Sequence, residues 1–507
     1  MNCAADAPFL AVWGRPNSTQ RPGTGSDELS LHPKTPNFSP PTPTLLQSAT
    51  FINTNAMDGL TKLIRRGEPV EVVELDRSGN VSRTWTHNPD NRVQLKAKAS
   101  TSLLSFIPSV REAFMPVGYP HSVSADYLNY QFYDSLQAFF STITGLLANR
   151  ALLQGLGVGD ANSTATFAML LTVLKDGMGR ISTIVFAQQF GLRIEPDAKR
   201  YRFLADLFND TAFFMELYSP YLDSYGKMLA LTTGEMLRAL CGVAAGASKA
   251  ALSTHFAKHD NLAELNAKEA SQETAVGLVG LLVGTLIVNY VKNHQSVLCL
   301  MTVLVFAHLW MNYLGVRAVC MENLNRQRAT ILFEEYLKTG KVLSPQEVSH
   351  RENILLWQPI VRNQRGQKIA HIEVAKNYGD AMGAKHREVN IAIIDGIRNS
   401  LFIWSHSKRS YTPIKIMLWK DASAIHAISA WFMAMEMAWL MDKSEGYSDK
   451  LDKIFCHKED IDGYQQKYDG RELWDAILAQ GWNLDSQAFE TGAPVRLVAQ
   501  MEGKKDQ

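Results

Sequence analysis

Seven charged residues in the middle of this 507-residue chain have types and spacings that could hold a ligand or do chemistry: Lys175, Asp176, Arg180, Asp206, Asp210, Lys249 and Lys268. Asp206 and Asp210 sit four residues apart, so on a helix they share one face, with Arg200 and Arg202 just upstream. Like charges at that spacing repel unless an arginine, a metal or a proton compensates them. Pairing with basic residues on a neighbouring helix is the expectation, ahead of metal binding or catalysis. The run Lys175-Asp-Gly-Met-Gly-Arg180 reads as a polar break inside apolar sequence. Its glycines would expose backbone N–H groups to a phosphate, with Lys175 and Arg180 as counter-charges. A turn between helices at a bilayer surface accounts for it equally well, and its spacing is not that of a P-loop or a dinucleotide fingerprint. Lys249 and Lys268 fall in a stretch rich in hydrogen-bonding residues, among them Asn261, Glu264, Asn266, Glu269 and Gln272. Either amine, once desolvated, could react with an aldehyde; a solvated helix face is the simpler reading. His255 and His259, followed by Asp260, have metal-compatible spacing but no third ligand that spacing fixes. No nucleophile–base pair emerges, and the residues name no cofactor.

The elements that must position these residues are helical and apolar. From Thr274 to Val316 a single formal charge, Lys292, divides two stretches of 18 and 24 residues without Asp, Glu, Lys or Arg. A helix needs ~20 apolar residues to cross the hydrocarbon core, so both qualify, and the pair predicts a membrane hairpin rather than a buried core hairpin. Gly277, Gly280 and Gly284 fall on a narrow face of the first helix, where Gly280-x-x-x-Gly284 would let a neighbouring helix approach closely. Upstream, between Tyr127 and Gly246, four further helical segments are expected, with breaks near Gly155–Ser163, Gly191–Asp197 and Pro220–Ser224. Their charges suit interior membrane helices facing a bundle or cavity, or else a soluble half of the helical domain. Arg317, Arg326, Arg328, Lys338 and Lys341 follow the hairpin, which puts both its ends and the C-terminal region on the cytosolic side.

Mean hydropathy of −0.12 requires long polar segments around this apolar part. The formal net charge of +1 leaves no footprint for nucleic acid. Five scattered cysteines give neither a disulfide framework nor a zinc site. Residues 1–48 hold eight of the nineteen prolines and no hydrophobic period, and are expected to be a disordered tail with no legible targeting address. Residues 49–105 form a small β-rich appendage, with strands around Val70–Val73 and Val81–Thr86 and Arg77-Ser-Gly-Asn80 as the turn. Residues 106–342 make the helical membrane domain. Residues 343–507 read as a soluble α/β module: Ser344-Pro-Gln-Glu347 starts a helix, Ile414–Trp419 is a strand, and a core helix capped at Asp421 or Ser423 follows. Val495–Val498 offers a last strand. The fold class is therefore mainly α, a helical membrane domain of about six helices with a small C-terminal α/β module.

Pro116-Val-Gly-Tyr-Pro120, Ser122-Val-Ser-Ala-Asp-Tyr127, Leu174-Lys-Asp-Gly177, Arg202-Phe-Leu-Ala-Asp-Leu-Phe-Asn-Asp210 and Asn266-Ala-Lys-Glu-Ala-Ser-Gln-Glu273, in this order, resemble the root UVB sensitive family. The resemblance is strong over about residues 106–347 and weaker through Leu418–Ala430 and Gly481-Trp482. It implies a membrane protein; in plants the family is linked to ultraviolet-B responses of seedlings, auxin transport and vitamin B6 homeostasis. It carries over no catalytic residue. The expected function is a non-enzymatic integral, multi-pass membrane protein that transports or regulates a small metabolite pool related to pyridoxal phosphate. The alternatives are an adaptor acting through the C-terminal module and a lysine-dependent enzyme. The expected partners are the lipid bilayer, a phosphorylated small molecule, and another protein or a homologous paralogue.

Overall fold

A computed structural model describes residues 70–75, 81–87, 93–97, 113–156, 165–291, 293–382, 389–394, 400–405, 412–443, 471–492 and 495–498. The proline-rich tail and the Arg77–Asn80 turn lie outside these residues. The chain divides into two units. In the first, strands β1 (Val70–Leu75), β2 (Val81–His87) and β3 (Val93–Ala97) form an antiparallel sheet in the order β1-β2-β3.

The second unit begins with six helices: α1 (Tyr127–Gly155), α2 (Ala165–Ile194), α3 (Ala198–Tyr218), α4 (Ser224–Phe256), α5 (Leu262–Tyr290) and α6 (His294–Ala318). The breaks fall where glycine, proline and capping residues cluster; Asp223, for example, accepts a hydrogen bond from the Gly226 N–H to cap α4. Helix α3 packs on α4 and α4 on α2, while α1 packs on α5 and α6. One correction to the sequence reading concerns Lys175–Arg180, which is continuous helix within α2. Gly177 and Gly179 each cost a helix about 0.5–1 kcal/mol relative to alanine, too little to break a 30-residue apolar element. Their N–H groups therefore belong to the helix ladder rather than to an exposed loop.

The close-approach face on α5 is real. A Cβ at Gly280 would lie 3.0 Å from Cβ of Thr142 and 3.3 Å from the Phe139 carbonyl, so α5 rests on α1 through its glycines. Among the described residues three helices, α4, α5 and α6, are long and apolar enough to cross a membrane. In the most apolar window of α5 only 17% of the residues are buried. Leu278, Leu282 and Leu286 on α5, Val303, Phe306 and Trp310 on α6, and Leu170, Val173, Ile184 and Leu192 on α2 are all exposed. An outward apolar surface of this extent marks a face for contact with lipid or with another protein.

Beyond α6 the chain builds a second core. It contains α7 (Arg326–Thr339), α8 (Pro345–Arg351), strands β4 (Ile360–Arg362) and β5 (Lys368–Val374), and α9 (Tyr378–Met382). Strands β6 (Val389–Ile394), β7 (Ser400–Ser405) and β8 (Thr412–Trp419), helices α10 (Ala424–Lys443) and α11 (Arg471–Ala479), and β9 (Arg496–Leu497) complete it. The sheet order is β4-β5-β8-β7-β6, with β5 and β8 parallel and β9 added to the end of β8. Ile414, Ile416 and Leu418 of β8 and Ile428, Phe432 and Met435 of α10 are buried together with Phe333 of α7. Helix α10 is thus a core helix of this module. Helix α8 opens with a full capping box between Ser344 and Glu347, as its sequence predicts.

Candidate functional site

The bundle interior holds a connected set of charged side chains. Arg202 of α3 donates to Asp134 of α1 at 2.7 Å and lies 3.3 Å from Asp206, one turn along its own helix. Asp206 also accepts hydrogen bonds from the side-chain amides of Gln137 on α1 and Asn312 on α6. Asp210 pairs with His308 of α6, whose Nδ1 lies 2.8 Å from the carboxylate, while His308 Nε2 is 3.8 Å from Asp206. The two aspartates predicted to share a face therefore do so, compensated by one arginine from their own helix and one histidine from a neighbour. Asp134, Arg202, Asp206, Asp210, His308 and Asn312 are all buried.

A cavity of about 190 Å³ opens beside this network. Its polar lining includes Asp134, Gln137, Arg202, Asp206, Lys249 and Glu273, and Gly242 and Gly246 of α4 form a bare wall. A Cβ at either glycine would meet no atom within 4 Å, so the wall stands open. Lys249 is half-buried and pairs with Glu273 of α5 at 3.0 Å. One turn before Glu273, the buried Glu269 accepts a hydrogen bond from Ser253 of α4. Five carboxylates (Asp134, Asp206, Asp210, Glu269, Glu273) thus gather around two permanent cations, Arg202 and Lys249, and one histidine. This interior has spare capacity for a proton or a positively charged group, and amide and carboxylate oxygens for a polar molecule.

The remaining expected site residues are elsewhere. Lys175 reaches across to Glu235 of α4 at 2.6 Å and to Asp176 at 3.5 Å, while Asp176 and Arg180 are exposed on α2. Lys268 is half-buried on α5, next to Glu269 in sequence. His255 faces Asp126 at 2.9 Å, whereas His259 lies beyond the end of α4 with φ +60, so the two histidines do not converge. Burial works against the Asp126 carboxylate, yet hydrogen bonds from His255, the Cys320 N–H and Ser124 hold its pKa below the usual value. Asp134, Gln137, His308 and Asn312 were not singled out in sequence. The signal for the last two was their one-turn spacing inside an otherwise apolar span.

The short motifs meet in space as well as in order. In Pro116–Tyr127, Ser124 N–H donates to the Phe256 carbonyl, the Ser122 carbonyl accepts from Lys258 and Asn261, and Asp126 accepts from Cys320. This loop therefore ties the start of α1 to the α4–α5 turn and the end of α6. Arg202–Asp210 builds the charged network, and Asn266–Glu273 closes its far side.

Comparison with known proteins fits this convergence. The model of a "Vitamin B6 photo-protection and homoeostasis domain" matches residues 100–340. Protein root UVB sensitive 3 of Arabidopsis thaliana is 32% identical over 384 residues, covering 74% of this chain and 83% of that protein. The chain belongs to the root UVB sensitive family. RUS family member 1 of Dictyostelium discoideum is 42% identical over 248 residues, 48% of this chain, and the match spans about half (47%) of that relative. Protein root UVB sensitive 2, chloroplastic, of Arabidopsis thaliana is 26% identical over 451 residues, 85% of this chain and 97% of that protein. No solved structure matches. The region matched to the family domain contains all six bundle helices and the whole charged network, so the family's defining segment and this polar core coincide.

Proposed function

We propose that the root UVB sensitive bundle spans a membrane several times and that its polar core binds and passes a small metabolite of the vitamin B6 class. The observation that carries this reading is the buried carboxylate–arginine–histidine network beside a cavity, inside helices whose outer face is apolar. Charge within a bilayer costs ~2.5–3.5 kcal/mol per residue on insertion scales, and where it persists it marks pathways and relays. Here several charges persist, and a cavity adjoins them. The ligand class comes from the family domain's description, vitamin B6 homoeostasis, and the acid-rich lining suits a protonatable ring nitrogen or amine.

The test is complementation of cells lacking the chain, with vitamin B6 vitamers and protein abundance measured together. Gly246→Leu adds a bulky side chain at a residue that lines the cavity, from a position with no neighbouring atom. It is expected to accumulate like wild type and to leave the vitamer pools uncorrected. Full correction by this variant would contradict the reading.

A further inference from the structure

A second cavity, of about 490 Å³, lies where the C-terminal end of α2 and the start of α3 meet the C-terminal module. Its volume is in the range of small-molecule sites. Six cations line it: Arg193, Arg200, Arg326, Lys376, Lys415 and Arg496, against four carboxylates, Asp197, Glu373, Asp380 and Glu490. Three of those carboxylates are already engaged. Lys415 pairs with Glu373 and lies 3.6 Å from Asp380, and Arg496 lies 2.9 Å from Glu490. Among the described residues, the side-chain charges of Arg193, Arg200, Arg326 and Lys376 form no ion pair with a carboxylate, and Asp380 is further held by the Lys376 backbone N–H at 3.0 Å. Arg200 and Arg326 act on Asp197, whose side chain is occupied in accepting from Asn325 at 3.1 Å.

The electrostatics sharpen this surplus. Burial raises the Asp197 pKa despite the nearby arginines, which makes its negative charge easier to lose. Burial, helped by the neighbouring Arg193, lowers the Arg326 pKa against the pull of Asp197, Glu373 and Glu490. Arginine's planar fork matches phosphate oxygens bidentately, and several arginines around one space act together. Phe190, Tyr201 and Trp357 add aromatic surface to the same wall, suited to the organic part of an ester.

We infer that this cavity is a binding site for a phosphate monoester, held by Arg193, Arg200 and Arg326. It is separate from the acid-rich cavity of the bundle, and it stands or falls independently of the transport reading. The phosphate can belong to a soluble metabolite or to a lipid headgroup, since the exposed, apolar Leu192 is next to Arg193 in sequence.

The test uses the full chain in phosphatidylcholine nanodiscs, titrated with inorganic phosphate and with pyridoxine 5′-phosphate, which lacks an aldehyde and so forms no adducts with lysines. Saturable binding is expected, weakened about tenfold or more in Arg200→Gln and in Arg326→Gln, the loss of one charge-assisted pair. Arg180→Gln, an exposed arginine on α2 that does not line the cavity, should leave affinity unchanged. Arg200 is exposed, so its variant keeps the packed core, and a thermal melt on each variant verifies folding. If the soluble probes fail but phosphatidic acid in the nanodisc raises the melting temperature in an Arg200- and Arg326-dependent way, the occupant is a headgroup. Absence of both effects, or binding indifferent to the two substitutions, overturns the site.

Discussion

Gly284 of α5 packs against Leu146 of α1 so closely that a Cβ on the glycine would fall 2.5 Å from the leucine Cδ1. One turn earlier, Gly280 meets the stiffer Thr142 Cβ and the Phe139 carbonyl. In the proposed membrane setting lipid tails supply no hydrophobic drive between helices, and contact of this kind would hold α5 in place. Gly280→Leu and Gly284→Leu are expected to destabilise the detergent-solubilised protein by roughly 1–3 kcal/mol, the usual cost of overpacking. Gly177→Leu, where a Cβ meets nothing, is the matched control. A melting temperature unchanged in both α5 variants would mean that the glycine face looks at lipid.

Asp210 and Lys249 separate structural from functional charge. Asp210 is buried against His308, and Asp210→Ala strands that ring beside Asp206. Breaking a buried ionic pair costs about 3–5 kcal/mol, so this variant should lose abundance. Lys249 is half-buried at the cavity wall and paired with an equally accessible glutamate, so Lys249→Met should accumulate normally while failing to restore the vitamer pools. Immunoblotting beside the complementation assay reads both. Loss of abundance in both variants would make the whole network structural.

Glu352 fastens the bundle to the C-terminal module. It pairs with Lys199 of α3 at 2.5 Å and with Arg328 of α7 at 2.7 Å, all three side chains being buried. Burial opposes its carboxylate, but Arg328 and Lys199 prevail and hold its pKa below the ordinary glutamate value of 4.5. The unfolded state then binds the proton more readily than the folded one, so the pair's contribution is full above that value and lost as pH falls through the folded pKa. Melting temperature is expected to drop on acidification below pH 4.5, and Glu352→Gln should start less stable, by about 3–5 kcal/mol, and lose less on acidification. An acid slope identical in wild type and variant would remove Glu352 from the explanation.

Much of this fold is legible in the chain because its long-range signals are simple. Apolar runs of spanning length and clusters of Gly, Pro and Asp locate all six bundle helices, and the Ser344–Glu347 box starts α8. Lys175–Arg180 misleads because two glycines and three charges look like a loop locally, while the apolar sequence on both sides keeps the helix going. The C-terminal sheet is only partly legible: Ile414–Trp419 alternates clearly, whereas β4 and β5 are short and mixed in polarity. Pairing of Asp206 and Asp210 can be anticipated from like-charge repulsion, but the partner identities cannot, since His308 and Asn312 reach them across about a hundred residues. Nor does sequence bring Arg193, Arg200 and Arg326 together; only the docking of α7 beside the start of α3 does.

Transport of labelled vitamin B6 vitamers into proteoliposomes holding the full chain is the most direct test of a working cavity in the bundle core. Uptake above protein-free liposomes is expected for wild type and is expected to vanish in Gly246→Leu, with both proteins melting at the same temperature. Uptake no greater than in empty liposomes, or uptake equal in Gly246→Leu, would contradict the proposal that this cavity passes the metabolite.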